Sequence, residues 1–231
     1  MTYNIFFISE SAATIDFGST INEEMNKKII ALFDRLSDHP AEGMVEAIPA
    51  YSSITLYFDI CSLRYKVNPQ MKVHDWIINE LHKQMRADLS APNQEKHVVR
   101  IPVCYDADLA PDLLWISKQR KINPEEIVQL HHSTQYRVYM LGFLPGFAYM
   151  AEVDERIAIP RKPQPRVIAA GGVGIAGRQT GIYPLNSPGG WQIIGRTPLK
   201  MFDVNANPMC RVKAGDYVEF YPITRDEFEN Y

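Results

Sequence analysis

Hydrophobic residues in the first part of the chain recur at strand spacing. Ile54, Leu56 and Phe58 occupy every second position of one run and alternate with Thr55 and Tyr57. This is the period of a half-buried strand, which we predict over residues 53–58. Similar short apolar runs predict three further strands, over residues 3–9, 12–17 and 45–50. Four strands are enough to form a small sheet with its own hydrophobic face.

Two helices are predicted among these strands. The first begins at a capping box formed by Thr20 and Glu23, and it ends at His39, because a residue before proline disfavours the helical conformation. Its apolar stripe consists of Met25, Ile29, Leu32 and Leu36. The second helix is predicted over residues 73–89, with an apolar stripe of Ile77 or Ile78, Leu81 and Met85. These elements predict a small N-terminal α/β sandwich, residues 1–92, with both helices on one sheet face.

A polar stretch over residues 90–96 contains a proline and has no apolar period, and we predict the domain boundary there. A strand at 98–103 and helices at 112–121 and 124–132 follow, the last with Pro124 in its first turn. Beyond residue 135, short apolar runs alternate with glycine and proline turns, and they predict strands at 136–143, 173–176, 181–183, 191–195 and 217–221. This pattern predicts a compact β-barrel or sandwich over residues 97–231 and an α+β chain of two domains.

Composition narrows the class of protein. The 231 residues carry a formal net charge of −3, which provides no basic field for a nucleic acid. No apolar run approaches the ~18 residues of a membrane span, and the first residues lack the pattern of a secretory signal. Cys61, Cys104 and Cys210 form no CxxC pair, so neither a disulfide framework nor a zinc site is predicted. We expect a reduced cytoplasmic protein without a metal site, bound to neither nucleic acid nor membrane.

Residues 172–179 partly match two nucleotide-binding motifs, but neither motif is complete. Residues 172–177 read G-x-G-x-x-G, yet a dinucleotide site needs a helix directly after the glycines, and glycine and proline follow here. A Walker A loop would continue with Lys and then Ser or Thr, whereas this chain has Arg178 and Gln179. His131 and His132 are adjacent on a predicted helix and point about 100° apart, so they do not suit one metal ion.

The glycine- and proline-rich half contains candidate binding residues. Phe143, Phe147 and Tyr149 lie in a segment with Pro145 and Gly146, where they could line a ligand site or belong to the core. A proline-rich segment then holds two arginines, Arg161 and Arg166, which could bind a carboxylate or phosphate or could be solvated. The polar side chains that follow are typical of a binding face and surround Trp191: Gln179, Thr180, Ser187, Gln192, Arg196 and Thr197. No nucleophile with its base can be recognised among them.

Four blocks in this half are similar to one known family. They cover residues 131–149, 160–166, 174–184 and 187–198, and they resemble the KipI/PxpB family, also called the allophanate hydrolase subunit 1 family. The resemblance implies a cyclophilin-like β-barrel in the C-terminal half, preceded by the smaller α/β domain of the family. It also implies that His131 is the family's histidine, from its five-residue distance to Tyr136.

The resemblance further implies a non-autonomous component of an ATP-dependent enzyme that opens the lactam 5-oxoproline to glutamate. The implied partners are a KipA/PxpC-like protein and a LamB/YcsF-type protein, with ATP and Mg²⁺ used by the complex. The isolated chain is expected to be inactive. Two alternatives stay open: a KipI-type inhibitor that binds a sporulation histidine kinase, and a component of the allophanate hydrolase or urea carboxylase pathway.

For the enzyme, the predicted catalytic residues are His131, Arg161 and Arg196. The arginines would stabilise phosphate charge, and the histidine would move protons because its ordinary pKa lies near neutrality. The residues predicted to bind substrate or partner are Phe143, Phe147, Tyr149, Arg166, Gln179, Thr180, Tyr183, Ser187 and Trp191.

Overall fold

A computed structural model describes residues 2–86 and 96–231. The chain divides into two compact units, residues 1–95 and 96–231. Most of the predicted boundary stretch, residues 90–95, lies outside the described residues, as do residues 87–89 of the second predicted helix. Within the described ranges, no helix is long and apolar enough to cross a membrane.

Over residues 2–86, the first unit is a four-stranded antiparallel sheet with three helices. Its strands pair in the order β1-β2-β4-β3 and are β1 (Asn4–Ser9), β2 (Ala12–Asp16), β3 (Met44–Pro49) and β4 (Ser53–Phe58). The helices are α1 (Glu23–Asp38), α2 (Ile60–Lys66) and α3 (Val73–Arg86). Ile54, Leu56 and Phe58 are buried in one core with Leu32 and Ile77. The predicted strand and helix periods are therefore confirmed in this unit.

One prediction for the helices of this unit was wrong, and one helix was missed. The first helix does not begin at a Thr20–Glu23 capping box: its N-cap is Asn22, whose side chain accepts a hydrogen bond from the Met25 backbone N–H at 3.0 Å. Glu23 is thus the first helical residue and adds negative charge where the helix dipole favours it. Helix α2 was not predicted, although Asp59 caps it by accepting from the Ser62 N–H at 3.0 Å.

The second unit is a seven-stranded barrel with three α-helices, two of which contribute residues to its central core. Its helices are α4 (Leu113–Arg120), α5 (Pro124–His132) and α6 (Arg225–Glu229). The barrel strands are β5 (Val98–Val103), β6 (Gln135–Leu141), β7 (Ala148–Ala151), β9 (Gly172–Ala176), β10 (Gln179–Ile182), β12 (Gln192–Arg196) and β13 (Tyr217–Pro222). A separate two-stranded ribbon is formed by β8 (Arg166–Ile168) and β11 (Ser187–Gly189).

Backbone pairing closes the barrel. The strands run in the order β12-β9-β10-β7-β6-β13-β5, and Cys104, directly after β5, pairs with Arg196 at the end of β12. Both backbone hydrogen bonds of this pair measure 2.9 Å. Closure leaves the sheet without an open edge at this point, which is how small barrels avoid unpaired strands. The α+β fold with a C-terminal barrel is therefore confirmed.

Alternation along the barrel strands separates an interior from an outer face. Ala148 and Met150 of β7 belong to the central core, whereas Tyr149 between them packs with a second cluster. Val173 and Ile175 of β9 repeat this pattern and enter the central core. Strands β7, β8 and β11 were not predicted because each is only three or four residues long. Such short segments show too little of the strand period to be recognised.

Candidate functional site

An aromatic cluster covers the outer face of the barrel. Phe147, Tyr183 and Trp191 are buried in it, and Tyr149 packs against them. The Phe147 ring centre lies 4.8 Å from that of Tyr149, 5.0 Å from that of Tyr183 and 5.4 Å from that of Trp191, all in edge-to-face geometry. This arrangement favours contact between the ring edges and the negative ring faces. The structure thus brings together four of the predicted binding residues.

Glycines on two strands make room for these rings. A Cβ atom on Gly181 of β10 would lie 3.0 Å from the Trp191 ring, 3.1 Å from the Phe147 ring and 2.9 Å from the Ala148 carbonyl oxygen. A Cβ on Gly174 of β9 would lie 3.1 Å from the Trp191 Cβ. The rings therefore lie directly on the backbone of the sheet, which only glycine permits.

Replacement of Gly181 by alanine should displace the aromatic cluster. We expect Gly181→Ala to lower the free energy of unfolding by roughly 1–3 kcal/mol, because the new methyl group overlaps backbone and two rings. Gly190→Ala is the matched control, since its Cβ would meet no atom closer than 3.5 Å. Urea unfolding checks both variants. Equal stability of the two variants would contradict the close packing described here.

The proline-rich segment crosses this cluster and carries Arg161. Its guanidinium carbon lies 5.9 Å from the centre of the Trp191 ring, a cation–π position. The segment is fixed on both sides: the Gln192 side-chain amide donates to the Pro160 carbonyl at 3.1 Å, and the Lys162 N–H donates to the Gly190 carbonyl at 2.7 Å. Arg161 is thus held over the aromatic cluster by its neighbours in the chain.

A buried ion pair anchors the same segment. The Lys162 ammonium binds the Asp112 carboxylate and donates to the Trp191 carbonyl oxygen at 2.8 Å, and each side chain of the pair is 12% exposed. The same Asp112 oxygen accepts from the Ile193 N–H at 2.6 Å. Sequence reasoning missed this pair, because its members lie 50 residues apart and Asp112 was interpreted as the start of a helix. The pair fixes Trp191 and Arg161 relative to the barrel.

Burial keeps the phenols of the cluster protonated. It raises the pKa of Tyr149 and of Tyr183, and the nearby Arg161 charge lowers each pKa by a smaller amount. For Tyr183, the backbone of Trp191 also lowers the pKa by hydrogen bonding. Both groups are therefore neutral phenols at physiological pH, with O–H groups beside a guanidinium.

Phe143 lies at the rim of the cluster. Its backbone has φ = 69°, the left-handed region that side chains other than glycine rarely adopt, and its side chain is 59% exposed. The ring edge packs 5.6 Å from the Phe147 ring centre and 6.3 Å from that of Tyr183. This strained, exposed position differs from the core position that the sequence left open for Phe143, whereas Phe147 is 1% exposed.

Arg166 and Ser187 lie on the β8–β11 ribbon beside the cluster. Ser187 is paired with Ile168, and Gly189 with Arg166. A Cβ on Gly189 would meet Tyr183 and Ile168, so this face of the ribbon packs on the cluster. The Ser187 hydroxyl is buried and has no hydrogen-bond partner among the described residues. Arg166 is exposed.

Arg196 lies away from the cluster, whereas Gln179 pairs with Ala176, a member of the cluster. The Arg196 guanidinium donates to the Ala170 carbonyl at 2.8 Å and lies 5.9 Å from the Phe228 ring centre, next to the bridge that closes the barrel. Gln179 is the half-buried first residue of β10. No contact of the described residues brings Arg196 to Arg161, so the two predicted catalytic arginines do not form one group.

His131 is enclosed in the barrel unit and fully hydrogen-bonded. Its Nε2 lies 2.9 Å from the Thr180 Oγ1, and its Nδ1 lies 3.0 Å from the Tyr105 hydroxyl. The Thr180 hydroxyl donates its hydrogen to the Gly174 carbonyl at 3.1 Å, so its oxygen can only accept from His131. The His131 proton is therefore on Nε2, and Nδ1 accepts a hydrogen bond from the Tyr105 hydroxyl. The imidazole also stacks on Phe220, with ring centres 4.6 Å apart. This environment favours a neutral, structural histidine.

The buried histidine should make stability depend on pH. Burial, with a smaller contribution from His132, lowers the pKa of His131 to about 3. Above about pH 6.5, the ordinary pKa of histidine, the imidazole is neutral in both the folded and the unfolded chain. Below that pH, only the unfolded chain binds a proton at this imidazole. This stabilisation is therefore present above pH 6.5 and is lost as the pH falls toward 3, by up to roughly 1.4 kcal/mol per pH unit.

Urea unfolding between pH 7 and pH 4 tests this dependence. His131→Asn should be less stable than the parent at pH 7 and should lose stability less steeply on acidification. His132→Gln, a change at the half-buried neighbour, should keep the parental slope. A parental slope in His131→Asn would show that the histidine does not cause the dependence.

Residues 172–177 do not form a phosphate-binding loop. Residues 172–177 form strand β9 and a turn at Gly177, and strand β10 follows where a phosphate-binding loop would need a helix. In the described ranges, no three His, Cys, Asp or Glu side chains are grouped to hold a metal ion.

The fold and motifs belong to a known class of domain. The family model described as carboxyltransferase domain, subdomain C and D, matches residues 3–212. The chain therefore belongs to this carboxyltransferase family, and the predicted relationship to the KipI/PxpB group is confirmed.

Curated relatives are similar over nearly their whole length. The B subunit of 5-oxoprolinase from Bacillus subtilis (strain 168) is 39% identical over 232 residues, 99% of this chain and 96% of that protein. The corresponding 5-oxoprolinase protein of Escherichia coli O157:H7 is 36% identical over 218 residues, 94% of each. The crystal structure of TTHA0988 matches with a TM-score of 0.76 and 34% identity, over 92% of this chain and 40% of that chain.

Proposed function

We propose that the chain is the B subunit of a 5-oxoprolinase, an ATP-dependent complex that hydrolyses the lactam of 5-oxoproline to glutamate. The observation that carries this proposal is the aromatic cluster with Arg161 held over Trp191. It occurs in a chain that is 39% identical to the B subunit of a 5-oxoprolinase. The reaction adds one water molecule across the amide bond, so no redox group is required.

The cluster suits the chemistry of 5-oxoproline. The substrate is a small flat ring with one carboxylate and one amide. A guanidinium presents planar donors that match a carboxylate, so Arg161 is proposed to bind that group. The ring would lie against the partly buried Tyr149, whose ring centre is 5.8 Å from that of the buried Trp191.

The other residues around the cluster take supporting roles in this proposal. Lys162 and Asp112 act as positioning residues, because they hold the backbone of Trp191 and the neighbour of Arg161. His131 and Thr180 support the barrel beneath the cluster through their hydrogen bonds with Tyr105 and Gly174. We place the nucleotide and its Mg²⁺ on the partner chains, the KipA-like protein and the LamB/YcsF-type protein. The isolated chain is then inactive.

The alternatives have weaker support. The urea amidolyase of Kluyveromyces lactis shares the fold with a TM-score of 0.73, but at 19% identity this similarity shows the fold alone. Inhibition of a histidine kinase stays a prediction from the resemblance, and no contact within the described residues favours it.

Substrate-dependent ATP hydrolysis tests the proposed function. The three chains would be assembled, and phosphate release would be measured with 5-oxoproline, urea or allophanate as the added substrate. We expect 5-oxoproline alone to raise the rate. A rate raised by urea or allophanate, and unchanged by 5-oxoproline, would contradict the proposal in favour of the urea pathway.

A further inference from the structure

A cavity of about 560 Å³ lies in the barrel unit, apart from the aromatic cluster. It is lined by residues of the segment 198–211, which lies between β12 and β13, and by Tyr231. None of the lining residues belongs to the aromatic cluster, and Arg161 is not among them. A volume of this size is typical of sites for small organic molecules.

The walls of this cavity are held by the fold. Met201 and Val212, near the two ends of the segment, are buried in the central core. Between them, the Arg211 N–H donates to the Met201 carbonyl at 3.0 Å, and the Asp203 N–H donates to the Met209 carbonyl at 2.9 Å. The segment is therefore an anchored hairpin, and a ligand would not have to order it on binding.

Arg211 presents unused donors at the cavity. Its Nε–H donates to the Lys200 carbonyl at 3.1 Å, which holds the guanidinium beside the backbone of Lys200. Among the described residues, no hydrogen bond or ion pair engages its two terminal NH₂ groups. A guanidinium with free planar donors matches the two oxygens of a carboxylate. The side chain is thus available to an anion that enters the cavity.

The charged side chains of the lining favour an anion. They are two cations, Lys200 and Arg211, and one carboxylate, Asp203. The Lys200 ammonium lies 3.6 Å from the Asp203 carboxylate, so these two charges compensate each other and Arg211 supplies the excess. The Asp203 carboxylate also accepts from the Asn205 N–H at 3.0 Å, and this bond lowers the pKa of Asp203. Its negative charge is therefore engaged within the hairpin.

The other walls offer apolar surface. Leu199, Pro208 and Met209 line the cavity, and Tyr231 adds an aromatic ring. Met209 is 55% exposed, so much of its side chain remains in water in the folded chain. Contact with an apolar group would remove this surface from water, which is favourable in proportion to the area buried. A bare inorganic anion would leave it uncovered.

We propose that this cavity is a second ligand site, which binds a small carboxylic acid with an apolar or aromatic body. The carboxylate pairs with the guanidinium of Arg211, and the body lies on Pro208, Met209 and Tyr231. The site goes beyond the proposed function, because it requires neither 5-oxoproline nor the partner chains.

Binding of 4-fluorophenylacetate to the full chain, followed by fluorine NMR, tests this inference. We expect saturable binding at one site per chain. Arg211→Gln should weaken it roughly 10-fold, because a charge-assisted pair of hydrogen bonds is lost. Arg211→Lys keeps the charge without the planar donors and should fall between the two. The uncharged 4-fluorophenylacetamide and the ringless fluoroacetate should each bind at least roughly 10-fold more weakly than the acid.

Two further variants locate the bound acid. Arg120→Gln removes an exposed cation of α4 that does not line the cavity, and it should bind like the parent. Arg161→Gln, at the aromatic cluster, should also keep the parental affinity. A loss in Arg161→Gln as large as that in Arg211→Gln would place the acid on the aromatic cluster and overturn the inference. It would equally be overturned if the parent showed no saturable binding, or if Arg211→Gln bound within twofold of the parent.

Discussion

Replacement of Arg161 by alanine in the assembled complex should lower kcat/KM for 5-oxoproline roughly 10- to 100-fold. Hydrogen bonds to a charged group contribute about 1.5–3 kcal/mol, and the variant loses the planar donors proposed to bind the substrate carboxylate. The effect should fall mainly on KM, because the carboxylate is bound similarly before and during the reaction. Initial rates of glutamate formation over a range of 5-oxoproline concentrations measure both constants.

Two comparisons make this prediction specific. Arg161→Lys keeps the charge but not the planar pair of donors, so its kcat/KM should lie between those of the parent and the alanine variant. The lactam 2-pyrrolidinone has no carboxylate, so hydrolysis of this analogue should respond little to Arg161→Ala. Equal losses for both lactams would mean that Arg161 acts through structure and not on the carboxylate.

Replacement of Lys162 by methionine should lower the free energy of unfolding by roughly 3 kcal/mol. The variant leaves the buried Asp112 carboxylate without its cation, and breaking a buried pair by removing one partner typically costs about 3–5 kcal/mol. Methionine fills a volume similar to that of lysine. The loss of stability therefore measures the removal of the charge and of the hydrogen bond to the Trp191 carbonyl, not a cavity. Urea unfolding of the chain measures it.

A double variant separates charge from packing. Asp112→Asn keeps a side-chain oxygen for the Ile193 N–H while it removes the negative charge. Combined with Lys162→Met, it should recover at least ~1 kcal/mol relative to Lys162→Met alone, because no buried charge is left unpaired. If Lys162→Met changes stability by less than about 0.5 kcal/mol, the pair does not anchor the segment.

The elements that could be predicted from the sequence are those long enough to show a regular hydrophobic period or a clear first turn. Strand β4 and helix α5 have the bounds that their patterns predicted, because each contains enough residues to show a period or a clear first turn. The Thr20–Glu23 capping box fits its local pattern but loses to Asn22, three residues before the Met25 N–H that it caps. Several side chains near a helix start can cap it, and local sequence does not rank them.

The sequence predicts which residues belong to the candidate site, but it does not predict which of them contact one another. Phe147, Tyr149, Tyr183 and Trp191 were identified from their glycine- and proline-rich surroundings, and they form one cluster. The Asp112–Lys162 pair and the chain from Tyr105 through His131 to Thr180 join residues 26 to 50 positions apart. Such contacts depend on barrel closure, which has no local sequence pattern.

The most direct test of the central claim is ATP-dependent glutamate formation from 5-oxoproline by this chain, its KipA-like partner and its LamB/YcsF-type partner, with each omitted in turn. We predict glutamate only when all three are present, and its restoration when this chain is added back. Glutamate formed at an unchanged rate without this chain, or none from the soluble assembled complex, would contradict its assignment as a required component.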